Sequence, residues 1–375
     1  MSFSDQLVQY PQSQLRDQIL ATTSDQIDRV LQRPRLRAED FAALLAPQIS
    51  DVQLEQLALK ANKLTRQRFG RIILLYAPLY LSNECSNGCK YCGFNADNDL
   101  PRRTLTLSEI EQEAQVLRDF GFRHILLLTG EAPKVAGIDY LENAVKVIKP
   151  LCGSVSIEVF PMDRDGYARM VKSGVDGLTL YQETYDPDLY RDLHPYGPKS
   201  DYNFRLQAPE AAGAAGFRRI GVGALLGLGD CLTDVFYSGL HALYLARRFW
   251  RTQIAISFPR ICPTEGGFAP MSLVSDRQLT QFICAARLLI PDAGLILSTR
   301  ESETLRNHLL PLGITQMSAG SCTAPGGYSD HSDEGQQFAI NDHRSPTEIA
   351  ELISACGYEA VWKDWDNAFL ETDIR

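Results

Sequence analysis

The sequence predicts an α/β protein, a TIM-type (βα)8 barrel carrying a helical extension before it and a C-terminal tail closing its mouth. Two observations support this. From Arg71 onward, apolar runs of four to eight residues alternate with amphipathic stretches, the texture of repeated βα units on a parallel sheet, and eight units can be counted. Polar, chemistry-bearing residues then follow each apolar run, where a barrel would gather them at one mouth although they lie far apart in the chain.

Residues 1–70 form the extension. Leu54, Leu57, Ala58, Ala61 and Leu64 recur at helical spacing with Lys60, Lys63 and Arg66 on other faces, so this helix is expected to lie on a core as a lid or bottom plug. The barrel spans 71–322. Its strands are expected at Ile72–Leu79, His124–Leu128, Val155–Val159, Gly177–Leu180, Ile220–Leu226, Gln253–Phe258, Leu295–Ser298 and Ile314–Ser318. Capping boxes are read at Ser108 with Glu111 and at Ser275 with Gln278, each ahead of an apolar stripe. The strands lead in turn into the Cys85 loop, Thr129-Gly130-Glu131, Glu158-Val159, Tyr181-Gln182-Glu183-Thr184, Gly227–Asp230, Pro259-Arg260, Ser298-Thr299-Arg300-Glu301 and Ser318–Ser321. Residues 323–375 are more polar, with a Pro325-Gly326-Gly327 turn and a last helix over Pro346–Cys356, and are read as the closing tail.

Composition narrows the function. The net charge is −9, from 37 basic and 46 acidic side chains, with no long basic run, which argues against a nucleic-acid partner. No apolar run approaches the roughly 18 residues of a membrane span, and Met1–Arg16 lacks the basic-then-apolar pattern of a signal peptide. The cysteines at 152, 231, 262, 284, 322 and 356 are isolated, mostly in apolar runs, as expected of a cytoplasmic protein in a reducing compartment.

The remaining three are different. Cys85, Cys89 and Cys92 step by four and three residues through Cys85-Ser86-Asn87-Gly88-Cys89-Lys90-Tyr91-Cys92. Zinc normally takes four protein ligands, and a zinc ribbon would need a second CxxC pair that the chain lacks. A four-iron, four-sulfur (4Fe-4S) cluster held by three thiolates instead leaves one iron open to a small molecule.

The CxxxCxxC spacing, with Tyr91 inside it and Gly93-Phe94 after it, resembles the radical S-adenosylmethionine (radical SAM) enzymes. The resemblance sharpens through YAPLYLSN, CSNGCKYCGF, LLTGE, LYQETY, GVGALLGL, SFPR, LSTRES, the PGGY loop, Gln337-Phe338, Asp342, Arg344 and the closing VWKDWD. These are similar to the tyrosine-lyase, or 2-iminoacetate synthase, family of bacterial thiamine biosynthesis over nearly the whole chain. That resemblance implies a 4Fe-4S cluster on Cys85, Cys89 and Cys92. It also implies contacts to S-adenosylmethionine from Thr129, Gly130, Glu131, Glu158, Tyr181 and Glu183, and Ser298 with Arg300 on the carboxylate of L-tyrosine. An arginine suits that carboxylate because it donates two parallel charge-assisted hydrogen bonds. Two simpler readings stand beside these roles: Arg300 paired with Glu301, and Glu158 paired within the barrel. Arg260 could hold the same anion or a structural carboxylate.

The implied reaction breaks the Cα–Cβ bond of L-tyrosine after a hydrogen atom leaves its amino group, giving 2-iminoacetate and p-cresol, with 5′-deoxyadenosine and methionine from the cofactor. Implied partners are thiazole synthase, because 2-iminoacetate hydrolyses readily, and an external electron donor such as flavodoxin or ferredoxin. The alternatives are a related radical SAM enzyme, such as the tyrosine-cleaving hydrogenase maturase or a tryptophan lyase. The maturase carries a second cluster with its own CxxC, whereas only Cys322 and Cys356 lie beyond the barrel core here, neither in such a pair. The histidines, His124 and His194 among them, show no ligand-like spacing and are read as structural or surface residues.

Overall fold

The computed structural model describes residues 2–264, 267–331 and 334–363. Five helices come first: α1 (Phe3–Leu7), α2 (Gln12–Leu20), α3 (Ser24–Leu31), α4 (Ala38–Leu44) and α5 (Asp51–Phe69). Three of them start on capping boxes, Ser2 with Asp5, Thr23 with Gln26 and Ser50 with Gln53.

The barrel follows as β1 (Ile72–Ser82), α6 (Leu107–Asp119), β2 (His124–Thr129), α7 (Ile138–Ile148), β3 (Ser154–Glu158), α8 (Arg164–Ser173) and β4 (Gly177–Thr179). It continues through α9 (Pro187–Leu193), α10 (Tyr202–Ala215), β5 (Arg219–Gly223), α11 (Cys231–Arg248), β6 (Gln253–Ser257), α12 (Asp276–Leu289), β7 (Gly294–Leu297), α13 (Glu303–Leu309) and β8 (Gln316–Ser318). The eight strands are all parallel in sequence order, and β1 closes the ring by pairing with both β8 and β2. All eight fall on the apolar runs because a parallel strand covered on both faces needs continuous hydrophobicity.

Alternation along β1 separates the two environments. Ile73, Leu75, Ala77, Leu79 and Leu81 join the core between barrel and helices. Tyr76 and Tyr80 face inward with Leu126 and Leu128 of β2. Each fully buried Leu or Ile contributes about 1.5–3 kcal/mol to that outer layer. The inner face carries small residues, Gly221, Gly223, Ala255 and Ser257, and this leaves room for cavities inside the barrel and at its C-terminal mouth. At Gly223 a Cβ would lie 2.0 Å from the Ser257 carbonyl oxygen, so only glycine fits there.

Two expectations change. The N-terminal helices are neither lid nor plug. They pack on the outer wall, α2 on α11, α4 on α11 and α12, and α5 on α12. Buried Gln281 donates to the carbonyls of Leu44 and Ala46 at 2.8 and 3.0 Å, and Phe41 presses into the space beside Gly239. The cap of α6 is Thr106 with Glu109, not Ser108 with Glu111. Thr104 and Leu105 are held extended against the end of β1, where Leu105 N donates to Leu81 O, so the helix starts at the next residue. The box at Ser275 with Gln278 forms as expected.

The C-terminal segment divides. Residues 323–331 and 334–345 lie across the mouth, including α14 (Gly327–Asp330), where the Tyr328 hydroxyl donates to Pro78 O at 2.7 Å. Then α15 (Pro346–Ala355) runs back along the outside with Ile349 and Ile353 buried, and β9 (Glu359–Val361) pairs in parallel with Ile72–Leu74 at the far end of β1. Asp364, Trp365 and Asp366 of the VWKDWD motif lie outside the described residues. Among the described residues no helix is long and apolar enough to cross a membrane.

Candidate active site

A register shift between Tyr80 and Ser82 turns the end of β1 out of the sheet and into the cysteine loop. Asn83 and Arg102 then fix that loop. The Asn83 amide donates to Pro101 O at 2.8 Å and accepts from Arg103 N at 2.7 Å. The Arg102 guanidinium donates to the carbonyls of Asn83, Phe94 and Asn95 at 2.6–3.0 Å. Cys85, Cys89 and Cys92, none in a disulfide, thereby face one cavity of about 80 Å³. Burial pushes the thiols of Cys89 and Cys92 up.

Thr129, Gly130 and Glu131 line the same cavity, as do Glu158 and Glu183. A Cβ on Gly130 would meet Glu84 O at 2.3 Å, so the turn after β2 needs glycine to lie against the cysteine loop. The Thr129 hydroxyl is buried there with no hydrogen-bond partner. Glu131 is tied down: its carboxylate accepts from Arg205 Nη1 at 2.8 Å and Asn87 Nδ2 at 3.1 Å, and its carbonyl from the Ser86 hydroxyl at 2.8 Å.

Arg205 is the hub. It also donates to Tyr181 O at 2.7 Å and to Glu183, which takes a second cation from Lys199 at 2.6 Å. Burial alone would raise the Glu183 carboxyl, but Lys199 and Arg205 outweigh it and hold the group below its ordinary value. Glu183 has φ of 73°, a left-handed conformation uncommon outside glycine.

A second cavity, of about 120 Å³, opens beside the first and shares Tyr80, Cys92, Glu158 and Gln337 with it. Tyr76, Tyr181 and Phe338 form much of its wall. Tyr181 thus faces this cavity and does not line the one holding the cysteines. Ser298 and Arg300 are also here, with Arg300 N donating to the Ser298 hydroxyl at 3.4 Å. Glu301 is taken by Arg260, which bonds it through Nε at 2.9 Å, so neither an Arg300–Glu301 pair nor an anion-binding Arg260 forms. Among the described residues Arg300 makes no ion pair. Glu158 makes none either, and burial, then the nearby Glu183 charge, pushes its carboxyl up to about 7.

Arg205 and Lys199 do not figure in the sequence reading, and Gln337 enters it only as part of a motif without an assigned role, although each lines the site. Arg205 did leave a signal. It heads the stripe Arg205, Ala208, Pro209, Ala212 at helical spacing, all buried, and a cation on an apolar stripe needs buried partners.

A parallel (βα)8 barrel with three cysteines gathered at its mouth directly after the first strand defines a radical SAM enzyme. The model of the radical SAM superfamily matches residues 79–235, and that of the biotin and thiamin synthesis associated domain matches residues 257–359. Within that class the chain belongs to the 2-iminoacetate synthase family. It is 41% identical to 2-iminoacetate synthase of Salmonella typhimurium and 42% identical to that of Escherichia coli, in each case over 98% of this chain and 97% of the relative. Among solved structures, the FeFe-hydrogenase maturase HydG from Carboxydothermus hydrogenoformans superposes with a TM-score of 0.89 at 34% identity, over 96% of this chain and 85% of that one.

Proposed function

We propose that this chain is a radical SAM lyase that cleaves the Cα–Cβ bond of L-tyrosine to 2-iminoacetate and p-cresol for thiamine thiazole synthesis. The observation that carries this reading is the near-full-length identity to 2-iminoacetate synthases, 41–42% over 98% of the chain.

The cofactors of the class are a 4Fe-4S cluster and S-adenosylmethionine, and the residues present suit them. Three unbridged cysteines face one cavity, beside an orphaned Thr129 hydroxyl free to meet a ligand. Among the described residues no three His, Cys, Asp or Glu side chains are placed to hold a single metal ion, but a cubane takes each thiolate on a different iron. Cys85, Cys89 and Cys92 would hold the cluster; Thr129, Gly130, Glu131, Glu158 and Glu183 would surround S-adenosylmethionine, while Tyr181, expected among these contacts, faces the second cavity instead. Together these groups supply a 5′-deoxyadenosyl radical able to take a hydrogen atom from the substrate.

The protein's own part is binding, orientation and exclusion of water. Arg300 and Ser298 would pair the tyrosine carboxylate in the second cavity, where charge-assisted hydrogen bonds are worth about 1.5–3 kcal/mol each. Burial among Tyr76, Tyr181 and Phe338 works against an ammonium on the substrate amino group, which must be neutral when its hydrogen atom leaves. Thiazole synthase as the recipient of 2-iminoacetate, flavodoxin or ferredoxin as electron donor, and a cytoplasmic location complete the proposal.

The test is an anaerobic incubation of reconstituted protein with S-adenosylmethionine, a strong reductant and L-tyrosine. p-Cresol and glyoxylate without carbon monoxide or cyanide are expected. Carbon monoxide or cyanide would place the chain with the maturases, and 5′-deoxyadenosine without p-cresol would mean a different substrate.

A further inference from the structure

Gln337 stands where the two cavities meet and lines both. Its carboxamide is engaged at each end. Oε1 accepts from the Tyr80 hydroxyl at 2.8 Å, and Nε2 donates toward Cys92 Sγ at 3.7 Å. The backbone is held independently of the side chain. Gln337 N donates to Thr323 O at 3.1 Å, and its carbonyl lies so close over Gly93 that a Cβ there would sit 2.2 Å from it. The next residue, Phe338, carries the Arg300 guanidinium on its ring face, 3.4 Å from the centroid. One dipeptide of the C-terminal segment therefore meets a cysteine sulfur with one side chain and the anion-binding arginine with the next.

An N–H donor aimed at a ligating sulfur stabilises the more electron-rich, reduced form of a cluster and so raises its reduction potential. A carboxylate that pairs with Arg300 draws on a guanidinium stacked on Phe338, and Phe338 is bonded directly to Gln337. We infer that Gln337 is a positioning residue that tunes how readily a cluster on Cys85, Cys89 and Cys92 is reduced, and that, through Phe338 and Arg300, an amino-acid carboxylate in the neighbouring cavity adjusts that tuning. The inference rests on the cluster assignment proposed above.

The experiment is an EPR-monitored redox titration of the reconstituted protein, with and without L-tyrosine, alongside iron and sulfide content. Gln337→Leu and Gln337→Glu both remove the N–H donor and should keep the native iron content. Their clusters should reduce only at lower potential, so that the reduced-to-oxidised ratio at the native midpoint falls several-fold. L-Tyrosine should move the native midpoint and leave both variants unmoved. Tyr80→Phe keeps the amide but frees its anchor, and should shift the midpoint in the same direction by less. Native midpoints and a native response to L-tyrosine in these iron-replete variants would overturn the inference while leaving the cluster assignment standing. Full iron content after Cys85, Cys89 and Cys92 are all changed to Ser would instead remove the assignment itself.

Discussion

The guanidinium of Arg300 lies on the face of Phe338, 3.4 Å from the ring centroid, with no carboxylate paired to it among the described residues. The ring holds the cation in place and leaves its hydrogen-bonding edge for an anion. Arg300→Ala should leave iron content unchanged and lower kcat/KM for L-tyrosine about a hundredfold or more, corresponding to roughly 3 kcal/mol of lost carboxylate pairing. Arg300→Lys should recover only part of it, because a point charge lacks the fork. Unimpaired cleavage by the alanine variant, measured as p-cresol release, would refute the substrate assignment.

Arg205 sits between the carboxylates of Glu131 and Glu183 at 2.8 and 3.3 Å, all three buried. Arg205→Met leaves two buried carboxylates short of a cation and should cost about 3–5 kcal/mol of stability in denaturant unfolding. Because Glu131 also anchors Asn87 of the cysteine loop, the same variant should retain less iron after reconstitution.

Gly93→Ala tests how tightly the C-terminal segment rides on that loop. The added methyl would collide with the Gln337 carbonyl, so the segment must move away. A loss of about 1–3 kcal/mol is expected, read as a lower Tm, together with faster loss of iron to a chelator. An alanine variant as stable and as retentive as the native protein would show that the two segments are not in contact.

Buried Asp234 should govern part of the pH dependence of stability. Its carboxylate accepts from Tyr185 N at 2.7 Å and the Thr184 hydroxyl at 3.1 Å, yet burial pushes its pKa up to about 7. Below about pH 4 both folded and unfolded states carry the proton and the group contributes nothing. As pH rises the unfolded carboxyl ionises first, so stability falls until about pH 7, where the native carboxyl ionises too and the loss levels off. The full loss is roughly 4 kcal/mol. Asp234→Asn should abolish this slope, so the stability difference between variant and native should grow from pH 4 to 7 in denaturant titrations. A difference constant with pH would count against it.

The barrel could be read from the chain because its rules are local: a run of apolar residues for each doubly covered strand, and a cap before each helix. Caps failed where two candidates overlapped. Thr106 with Glu109 and Ser108 with Glu111 satisfy the same pattern, and the hydrogen bond from Leu105 N to Leu81 O, set by tertiary packing, chose between them. The cysteine loop and LSTRE stood out as motifs, and the structure puts both at one mouth. The pairing of Arg205 with Glu131 could not be foreseen, since 74 residues separate them and either carboxylate could have faced elsewhere. The placement of α1–α5 on the wall also escaped reading, because an amphipathic helix shows that it has a partner without saying which.

The contact between Gln337 and Cys92 joins residues 245 positions apart. At ribosomal speeds of about 5–20 residues per second, the residue that covers the cysteine loop emerges roughly 12–50 seconds after the loop itself. During that interval the nascent chain carries Cys92 without the residue whose side chain later meets its sulfur. The order of synthesis thus places the cover of the cysteine loop well after the loop itself.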